Sequence, residues 1–388
     1  MKKYLVGGAV RDQLLNFPFS EKDWVVVGSS PEEMTTLGYR PVGKDFPVFL
    51  HPKTGEEYAL ARTERKTAPG YKGFTFHTDP SVSLEEDLER RDLTINAIAQ
   101  DDNGELIDPY DGQDDIEKRI LRHVSLAFIE DPVRVLRVAR FSARYHHLGF
   151  TVATETLDLM SVMVSKGETK HLVAERVWQE LSKALGEKSP QQFFSILKIC
   201  DALKDILPEI NTEHYQESIT FLSKMASVST DIQLRFAAIC YPLEGKDIQQ
   251  LCKRLGSPNE YRELALLLNQ HANTLVNLAE HYTNISSAKI QQDTPKIMAD
   301  MLQRLDPLRK KERFERLVEG AGTLLCKKDK QKLILFWENA LQAYSNVDHQ
   351  SLIEKGYQKS ELGEAILLQR IEQLSLLLAD LKKSEHHE

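Results

Sequence analysis

Near the start of the chain, two glycines, an arginine and two carboxylates stand at spacings that suit phosphate and metal chemistry. Gly7 and Gly8 lie between a short apolar run and Arg11, which predicts a tight turn from a strand into a helix. Backbone N–H groups at such a turn can bind a phosphate, and an arginine can add two hydrogen bonds. Glu21 and Asp23 are two residues apart, so on a strand both point to one face, where Mg²⁺ would offset their repulsion. Each feature alone also fits an ordinary turn or a solvated strand end.

A stripe of arginines follows about a hundred residues later. Pro132 suits the first turn of a helix, and Asp131 before it is a possible cap. Arg134, Arg137 and Arg140 recur at every third residue, so on that helix they form one stripe. Aligned guanidinium groups repel one another unless an anion lies alongside. A nucleoside triphosphate would meet that need.

Asp131 and Arg134 have the chemistry to select a base. Cytosine and adenine both present an exocyclic amine donor beside a ring-nitrogen acceptor. The carboxylate of Asp131 can accept from the amine, and the guanidinium of Arg134 can donate to the ring nitrogen. Uracil and guanine present the opposite order, so one such pair can select C and A without a nucleic-acid template. The alternative is that Asp131 only caps a helix with a solvated basic face.

Taken together, these motifs resemble the nucleotidyltransferase family that includes bacterial poly(A) polymerases and CCA-adding enzymes. The resemblance rests on the glycine motif at 7–12, the acidic strand at 21–23 and the Glu-Asp-x-x-Arg motif at 130–134. It covers about residues 4–180, with the motifs in the family's order. It is strongest toward the proteobacterial class II CCA-adding enzymes that lack a metal-dependent phosphohydrolase domain, since the chain has no His-Asp dipeptide.

The resemblance implies which carboxylates are catalytic. In this family an acidic pair holds two metal ions, which implies that Glu21 and Asp23 bind Mg²⁺ and act in catalysis. The family usually has aspartate at both positions, whereas this chain has glutamate at the first. A third carboxylate is common in this chemistry, and Glu57 on a strand-like run is the candidate.

The resemblance also implies a set of nucleotide contacts. Gly8 and Arg11 would hold the nucleotide. Residues 90–97 resemble the family's second motif, which recognises the ribose and supports the nucleotide. This implies that Arg91 contacts the nucleotide and that Asn96 contacts its sugar. The polar stretch at 62–73 corresponds to a flexible loop that helps CCA-adding enzymes switch from C to A.

By the same resemblance the arginine stripe belongs to the nucleotide site. Asp131 and Arg134 are assigned to the base edge, and Arg137 and Arg140 to the nucleotide or its phosphates. Residues 175–180 resemble the family's last motif, which supports this helix rather than reacting.

The surrounding pattern predicts the elements that hold these residues. Up to about residue 125, short β-like runs at 4–6, 24–27, 47–50 and 58–61 alternate with turns, and Ser30 with Pro31 and Glu33 predicts a helix start. Beyond 126 the apolar spacing is helical, as in the leucine-rich segment at 367–378. We expect an α+β chain with a mixed-sheet, polymerase-β-like nucleotidyltransferase head at 1–125. An all-α neck (126–205), body (206–305) and tail (306–388) would follow.

Composition narrows the function further. A net charge of −8 argues against indiscriminate nucleic-acid binding, although basic residues gather between 309 and 332. That cluster fits either a solvated helix face or a path for tRNA phosphates. There is no apolar run long enough for a membrane span, no signal-peptide pattern and no CxxC pair among the four cysteines. We therefore expect a cytoplasmic protein without a membrane partner, and no protein partner is implied.

The predicted activity is template-independent addition and repair of the CCA end of tRNA. CMP, CMP and AMP would be transferred from CTP and ATP to the tRNA 3′ end, with Mg²⁺ as cofactor and with recognition of the acceptor arm. The alternatives are an A-only tRNA nucleotidyltransferase, a poly(A) polymerase and a catalytically inactive RNA-binding protein.

Overall fold

The computed structural model describes residues 1–19, 22–42, 48–66, 74–77, 79–283 and 293–385. The chain forms two compact units, one of residues 1–212 with 254–256 and one of residues 213–253 with 257–388. The division at 126, 206 and 306 stays a prediction.

The strands belong to the first unit. They are β1 (Lys2–Val6), β2 (Asp23–Val27), β3 (Arg40–Val42), β4 (Val48–Leu50), β5 (Glu57–Leu60), β6 (Thr63–Lys66), β7 (Phe74–His77), β8 (Ala99–Gln100), β9 (Leu106–Ile107), β10 (Ile120–Leu121) and β11 (Thr151–Val152). Seven of them form one sheet in the order β3-β4-β5-β2-β1-β8-β9. Only β2 and β5 are parallel neighbours in this sheet, so the predicted mixed sheet is confirmed.

Side-chain alternation along β2 gives the sheet two apolar faces. Val25 packs into one cluster together with Val6 and Leu88, whereas Val26 packs into another with Met34 and Tyr58. Since both faces are covered, only the strand ends can present polar groups to a ligand.

The helices of the first unit are α1 (Gly8–Leu14), α2 (Pro31–Thr36), α3 (Leu84–Glu89), α4 (Gly112–Lys118), α5 (Val133–Tyr145), α6 (Thr154–Ser165), α7 (Ala174–Gly186), α8 (Gln191–Ile199) and α9 (Leu203–Ile206). The predicted start of α2 is confirmed, because the Ser30 hydroxyl accepts a hydrogen bond from the Glu33 N–H at 3.3 Å. Helix α5 packs against α7 and α8. Its apolar residues Val135, Leu136 and Val138 are fully buried, which fixes the direction of its arginines.

The remaining helices are α10 (Tyr215–Val228), α11 (Ile232–Cys240), α12 (Gly245–Leu255), α13 (Asn259–Thr283), α14 (Thr294–Leu305), α15 (Lys311–Ala321), α16 (Lys327–Ser345), α17 (His349–Glu354) and α18 (Lys359–Glu385). The leucine-rich segment predicted as helical lies in α18, which packs against α14 and α16. Its Leu374 and Leu378 side chains are buried there. In the described part of the chain, no helix is long and apolar enough to cross a membrane.

Candidate active site

Two of the predicted catalytic carboxylates lie side by side at one end of the sheet. Asp23 begins β2 and Glu57 begins β5, and the parallel register pairs these two residues directly. Paired residues of neighbouring strands point to the same face, so both carboxylates lie on one side of the sheet. Both residues are exposed. The third predicted carboxylate, Glu21, lies outside the described residues.

The glycine turn adjoins this acidic edge. Asp23 pairs with Val6 on its other side, and Gly7 follows Val6 as the N-cap of α1. Gly7 has a φ of +68° and a ψ of −125°, a backbone conformation that L side chains rarely adopt. The predicted turn from strand to helix is therefore confirmed, and it directly follows the residue that pairs with Asp23.

Two guanidinium groups lie against the two glycines. A Cβ on Gly7 would stand 3.0 Å from Nη1 of Arg91, and a Cβ on Gly8 would stand 3.5 Å from Nη2 of Arg11. The absence of a side chain at Gly7 thus lets Arg91 lie close against the turn, whereas the Arg11 contact at Gly8 is an ordinary one. The structure thus brings together Gly8, Arg11 and Arg91, three residues of the predicted nucleotide site.

Arg91 is held by a buried carboxylate that the sequence did not single out. Asp87, 1% exposed, forms ion pairs with Arg90 at 3.0 Å and with Arg91 at 3.2 Å. Burial alone would raise the pKa of Asp87, but the charges of Arg90 and Arg91 outweigh it, so this pKa is lowered. Asp87 therefore stays ionised and orients Arg91 toward the glycine turn.

Asn96 links the glycine helix to α5. Its side-chain oxygen accepts from Nη1 of Arg11, and its amide donates to Asp92 at 2.9 Å. Asp92 in turn accepts from Nε of Arg137 at 2.7 Å. Burial would raise the pKa of Asp92, but Arg137 and the Asn96 amide favour the ionised form and lower it. A continuous polar path therefore runs from Arg11 to Arg137. Asn96, which we expected at the sugar, is only 5% exposed and is the middle of that path.

The charges of the arginine stripe are offset within the protein. Arg134 donates to the backbone carbonyls of Ala127, at 2.9 Å, and of Arg90. Arg140 donates to Glu180 at 2.6 Å and is 8% exposed. We inferred an external anion because aligned arginines repel one another. In the structure Asp92 and Glu180 offset the charges of Arg137 and Arg140, so that inference was wrong for these two residues. Their assignment to the nucleotide stays a prediction.

Asp131 both caps α5 and faces an arginine. Its Oδ1 accepts from the Val133 N–H at 3.0 Å, and its Oδ2 lies 3.4 Å from Nη2 of Arg176. Asp131 and Arg134 are one helical turn apart, joined by a 3.0 Å backbone hydrogen bond. Because α7 supplies Arg176 as well as the Glu180 partner of Arg140, the predicted support of this helix by residues 175–180 is confirmed.

Three of the arginines lie against the same aromatic ring. The guanidinium carbons of Arg11, Arg137 and Arg140 lie 5.2, 5.7 and 4.5 Å from the centre of the Phe141 ring. A ring face attracts cations at this range. Phe141 was missed in the sequence, where it reads as one more apolar residue of α5.

The basic cluster of the second unit is partly neutralised. Lys310 and Arg313 lie 3.8 and 3.1 Å from Glu263, and Arg316 lies 2.9 Å from Asp231. These three side chains therefore offer less charge to RNA phosphates than the sequence indicates.

The donor set at the acidic edge suits a divalent cation. Asp23 and Glu57 supply hard carboxylate oxygens on one face, and a bound triphosphate would complete the oxygen coordination that Mg²⁺ prefers. Among the described residues there is no group of three or more His, Cys, Asp or Glu side chains that could enclose a metal alone. The carboxylates of Asp23 and Glu57 therefore fit a divalent cation that also takes oxygen ligands from a bound substrate.

A mixed-sheet head, a glycine turn beside paired carboxylates and a helical support define a nucleotidyltransferase of the poly(A) polymerase type. Residues 3–122 match the family model "Poly A polymerase head domain", and residues 149–213 match "Probable RNA and SrmB-binding site of polymerase A".

Relatives that match nearly the whole chain show which family of nucleotidyltransferases it belongs to. The multifunctional CCA protein of Teredinibacter turnerae is 46% identical over 97% of this chain and 98% of its own length. The CCA-adding enzyme of Pseudomonas putida is 46% identical over 98% of this chain and 99% of its own length. The chain therefore belongs to the CCA-adding enzyme family, as its motifs indicated. The Thermotoga maritima CCA-adding enzyme complexed with tRNA shares the fold, with a TM-score of 0.69 at 20% identity over 99% of this chain and 91% of that one.

Proposed function

We propose that this protein adds and repairs the 3′-terminal CCA of tRNA without a nucleic-acid template. It transfers CMP, CMP and AMP from CTP and ATP to the tRNA 3′ end and releases pyrophosphate. One observation carries the proposal: paired carboxylates adjoin a glycine turn that a polar path connects to the helix bearing Asp131 and Arg134. Since tRNA is made and used in the bacterial cytoplasm, we assign the activity to that compartment.

Asp23 and Glu57 are the proposed ligands of the catalytic Mg²⁺, with Glu21 as a further ligand on sequence grounds. When bound, divalent cations lower the pKa of the attacking 3′-hydroxyl and stabilise the leaving pyrophosphate. The N–H groups of the glycine turn, with Arg11 and Arg91 against it, hold the triphosphate. Because these guanidinium groups are already oriented, binding requires little reordering of side chains.

Asp131 and Arg134 choose the base. The Asp131 carboxylate accepts from the exocyclic amine of C or A, and the Arg134 guanidinium donates to the adjacent ring nitrogen. Arg176 and the Val133 N–H hold Asp131, while the carbonyls of Ala127 and Arg90 hold Arg134. Two groups held this firmly reject uracil and guanine because each would face a like partner, donor to donor or acceptor to acceptor.

The test is to incubate the protein and Mg²⁺ with a tRNA that lacks CCA. Two residues should be added with CTP alone, and a third only when ATP is supplied. Use of ATP but not of CTP would identify an A-only enzyme, and long A tracts would identify a poly(A) polymerase. Asp23→Ala should abolish every addition while leaving tRNA binding intact. Binding of tRNA without any addition by the wild type would contradict the proposal.

Base selection is tested separately with Arg134→Ala. This variant should incorporate UMP or GMP at a larger fraction of its CMP rate than the wild type does, because the matched donor is gone. Each lost base contact changes discrimination by about tenfold or more, since a hydrogen bond to a charged group contributes roughly 1.5–3 kcal/mol. If Arg134→Ala only weakened tRNA binding, the assignment to the base would be wrong.

A further inference from the structure

Asp12 is a buried carboxylate at the centre of the site that no motif role explains. It lies on α1 and is 6% exposed. It accepts hydrogen bonds from Nε of Arg11 at 2.9 Å, Nη2 of Arg144 at 3.0 Å and the Tyr145 hydroxyl at 2.9 Å. A carboxylate this deeply buried is tolerated only when its oxygens are fully paired. Three donors from two helices meet that condition.

The first effect of Asp12 is on Arg11. Asp12 holds the Nε edge of the guanidinium, and Asn96 holds Nη1. The rings of Phe141 and Tyr145 lie 5.2 and 5.3 Å from the guanidinium carbon. The plane of Arg11 is therefore set by contacts on its edges and its face, which hold it against the glycine turn.

The second effect is on α5. Arg144 and Tyr145 form the end of this helix, whereas Arg134 stands at its beginning. Asp12 therefore fastens α1 to the far end of α5, and the contact between Asp92 and Arg137 fastens the middle. The second attachment reaches α1 indirectly, because Asn96 links Asp92 to Arg11. Together the two attachments hold α5 relative to α1.

We propose that Asp12 is a positioning residue for nucleotidyl transfer. It fixes the Arg11 guanidinium against the glycine turn and keeps α5 at one distance from it, so that the triphosphate and the base reach their contacts together. This inference rests on the proposed nucleotide role of Arg11 and the glycine turn. Its loss weakens CTP and ATP equally, because both carry the same triphosphate. The choice of base is unchanged, because Asp131 and Arg134 keep their own partners.

The test uses Asp12→Asn, which removes the charge and keeps the shape. Tyr145→Phe is the milder variant, because it removes one hydroxyl and keeps the ring beside Arg11. The matched control is Glu209→Gln in the same unit, since Glu209 is also 6% exposed and accepts from Arg254 at 2.9 and 2.7 Å. The readout is equilibrium binding of CTP and ATP in Mg²⁺ by isothermal titration calorimetry, together with the thermal midpoint.

Asp12→Asn should weaken both nucleotides about tenfold and Tyr145→Phe about threefold, because the first removes the charge that holds Arg11 and Arg144 whereas the second removes one of three donors to Asp12. Glu209→Gln should lower the thermal midpoint but change nucleotide affinity less than twofold. The preference for CTP over UTP should be the same in Asp12→Asn as in the wild type. Wild-type affinity in Asp12→Asn, or a loss no larger than in Glu209→Gln, would overturn the proposal.

The remaining outcomes are also decisive. If Asp12→Asn does not fold, unchanged CTP binding in folded Tyr145→Phe overturns the positioning role. A wild-type protein that binds CTP but adds no CMP refutes the proposed function alone, because the binding series still measures the effect of Asp12. A wild-type protein that binds neither nucleotide refutes both.

Discussion

Replacing Gly7 with alanine should destabilise the first unit, and replacing Gly8 should not. Gly7 has φ +68° and ψ −125°, and a Cβ there would lie 3.0 Å from Nη1 of Arg91. A residue with a side chain in such a backbone region costs about 1–3 kcal/mol. The Arg91 guanidinium must also shift by a few tenths of an ångström, which strains its 3.2 Å ion pair with Asp87.

Gly8 is the matched control, because it lies at the start of α1 without a positive φ. Its nearest side-chain atom, Nη2 of Arg11, would be 3.5 Å from a Cβ, an ordinary contact. Gly8→Ala should therefore fold as stably as the wild type, while its methyl group hinders close approach of a phosphate to the turn. The KM for CTP and ATP should rise in this variant without any loss of stability.

The two variants are compared by thermal unfolding and by steady-state kinetics. At about 2–4 °C per kcal/mol for a unit of this size, Gly7→Ala should lower the midpoint by roughly 2–12 °C. An unchanged midpoint in Gly7→Ala would mean that the turn does not need a glycine there. An unchanged KM in Gly8→Ala would mean that the phosphates do not approach the turn.

Two further predictions concern the ion pairs behind the site. The pKa of Asp92 is lowered in the folded chain. The pair with Arg137 therefore stabilises the folded state above the ordinary Asp pKa of about 4, and this stabilisation is lost as the pH falls from there. Unfolding free energy measured against pH should fall below about pH 4 in the wild type and less steeply in Asp92→Asn; equal slopes would contradict this assignment. Glu180→Ala leaves Arg140 without its 2.6 Å partner and should cost about 3 kcal/mol in chemical denaturation. Discrimination against UTP should persist in this variant because Asp131 is unaffected, and lost discrimination at unchanged stability would show that Arg140 reads the base.

Local patterns predicted some of the elements, but not β6 (Thr63–Lys66), which lies in the stretch that we expected to be a flexible loop. The β-like run at Trp24–Val27 and the Ser30 cap predicted β2 and the start of α2. The stripe of arginines was also placed on the correct helix. These features depend on neighbours within one or two turns, which a sequence displays directly.

Partners across the chain could not be predicted in the same way. Arg144 pairs with Asp12 across 132 residues, and Arg140 pairs with Glu180 across 40. No spacing rule reports such contacts, because they depend on how α5 packs against its neighbours. The stripe therefore appeared to need an outside anion, and Asp12 appeared to be only the end of a glycine motif. The pairing of Glu57 with Asp23 was equally inaccessible, because it depends on the register between two strands.

The pairing of the arginines with carboxylates affects which anions the site attracts from solution. Arg11, Arg91, Arg137 and Arg140 each face a carboxylate, in a chain whose net charge is −8. A cleft of bare cations would draw in sulfate, free phosphate and stray RNA through its long-range field. Here each guanidinium faces a carboxylate that offsets part of that field, so in the proposed nucleotide site retention would depend on matching donors at close range. Under the proposed function, the site would therefore exclude competing polyanions by shape rather than by charge repulsion.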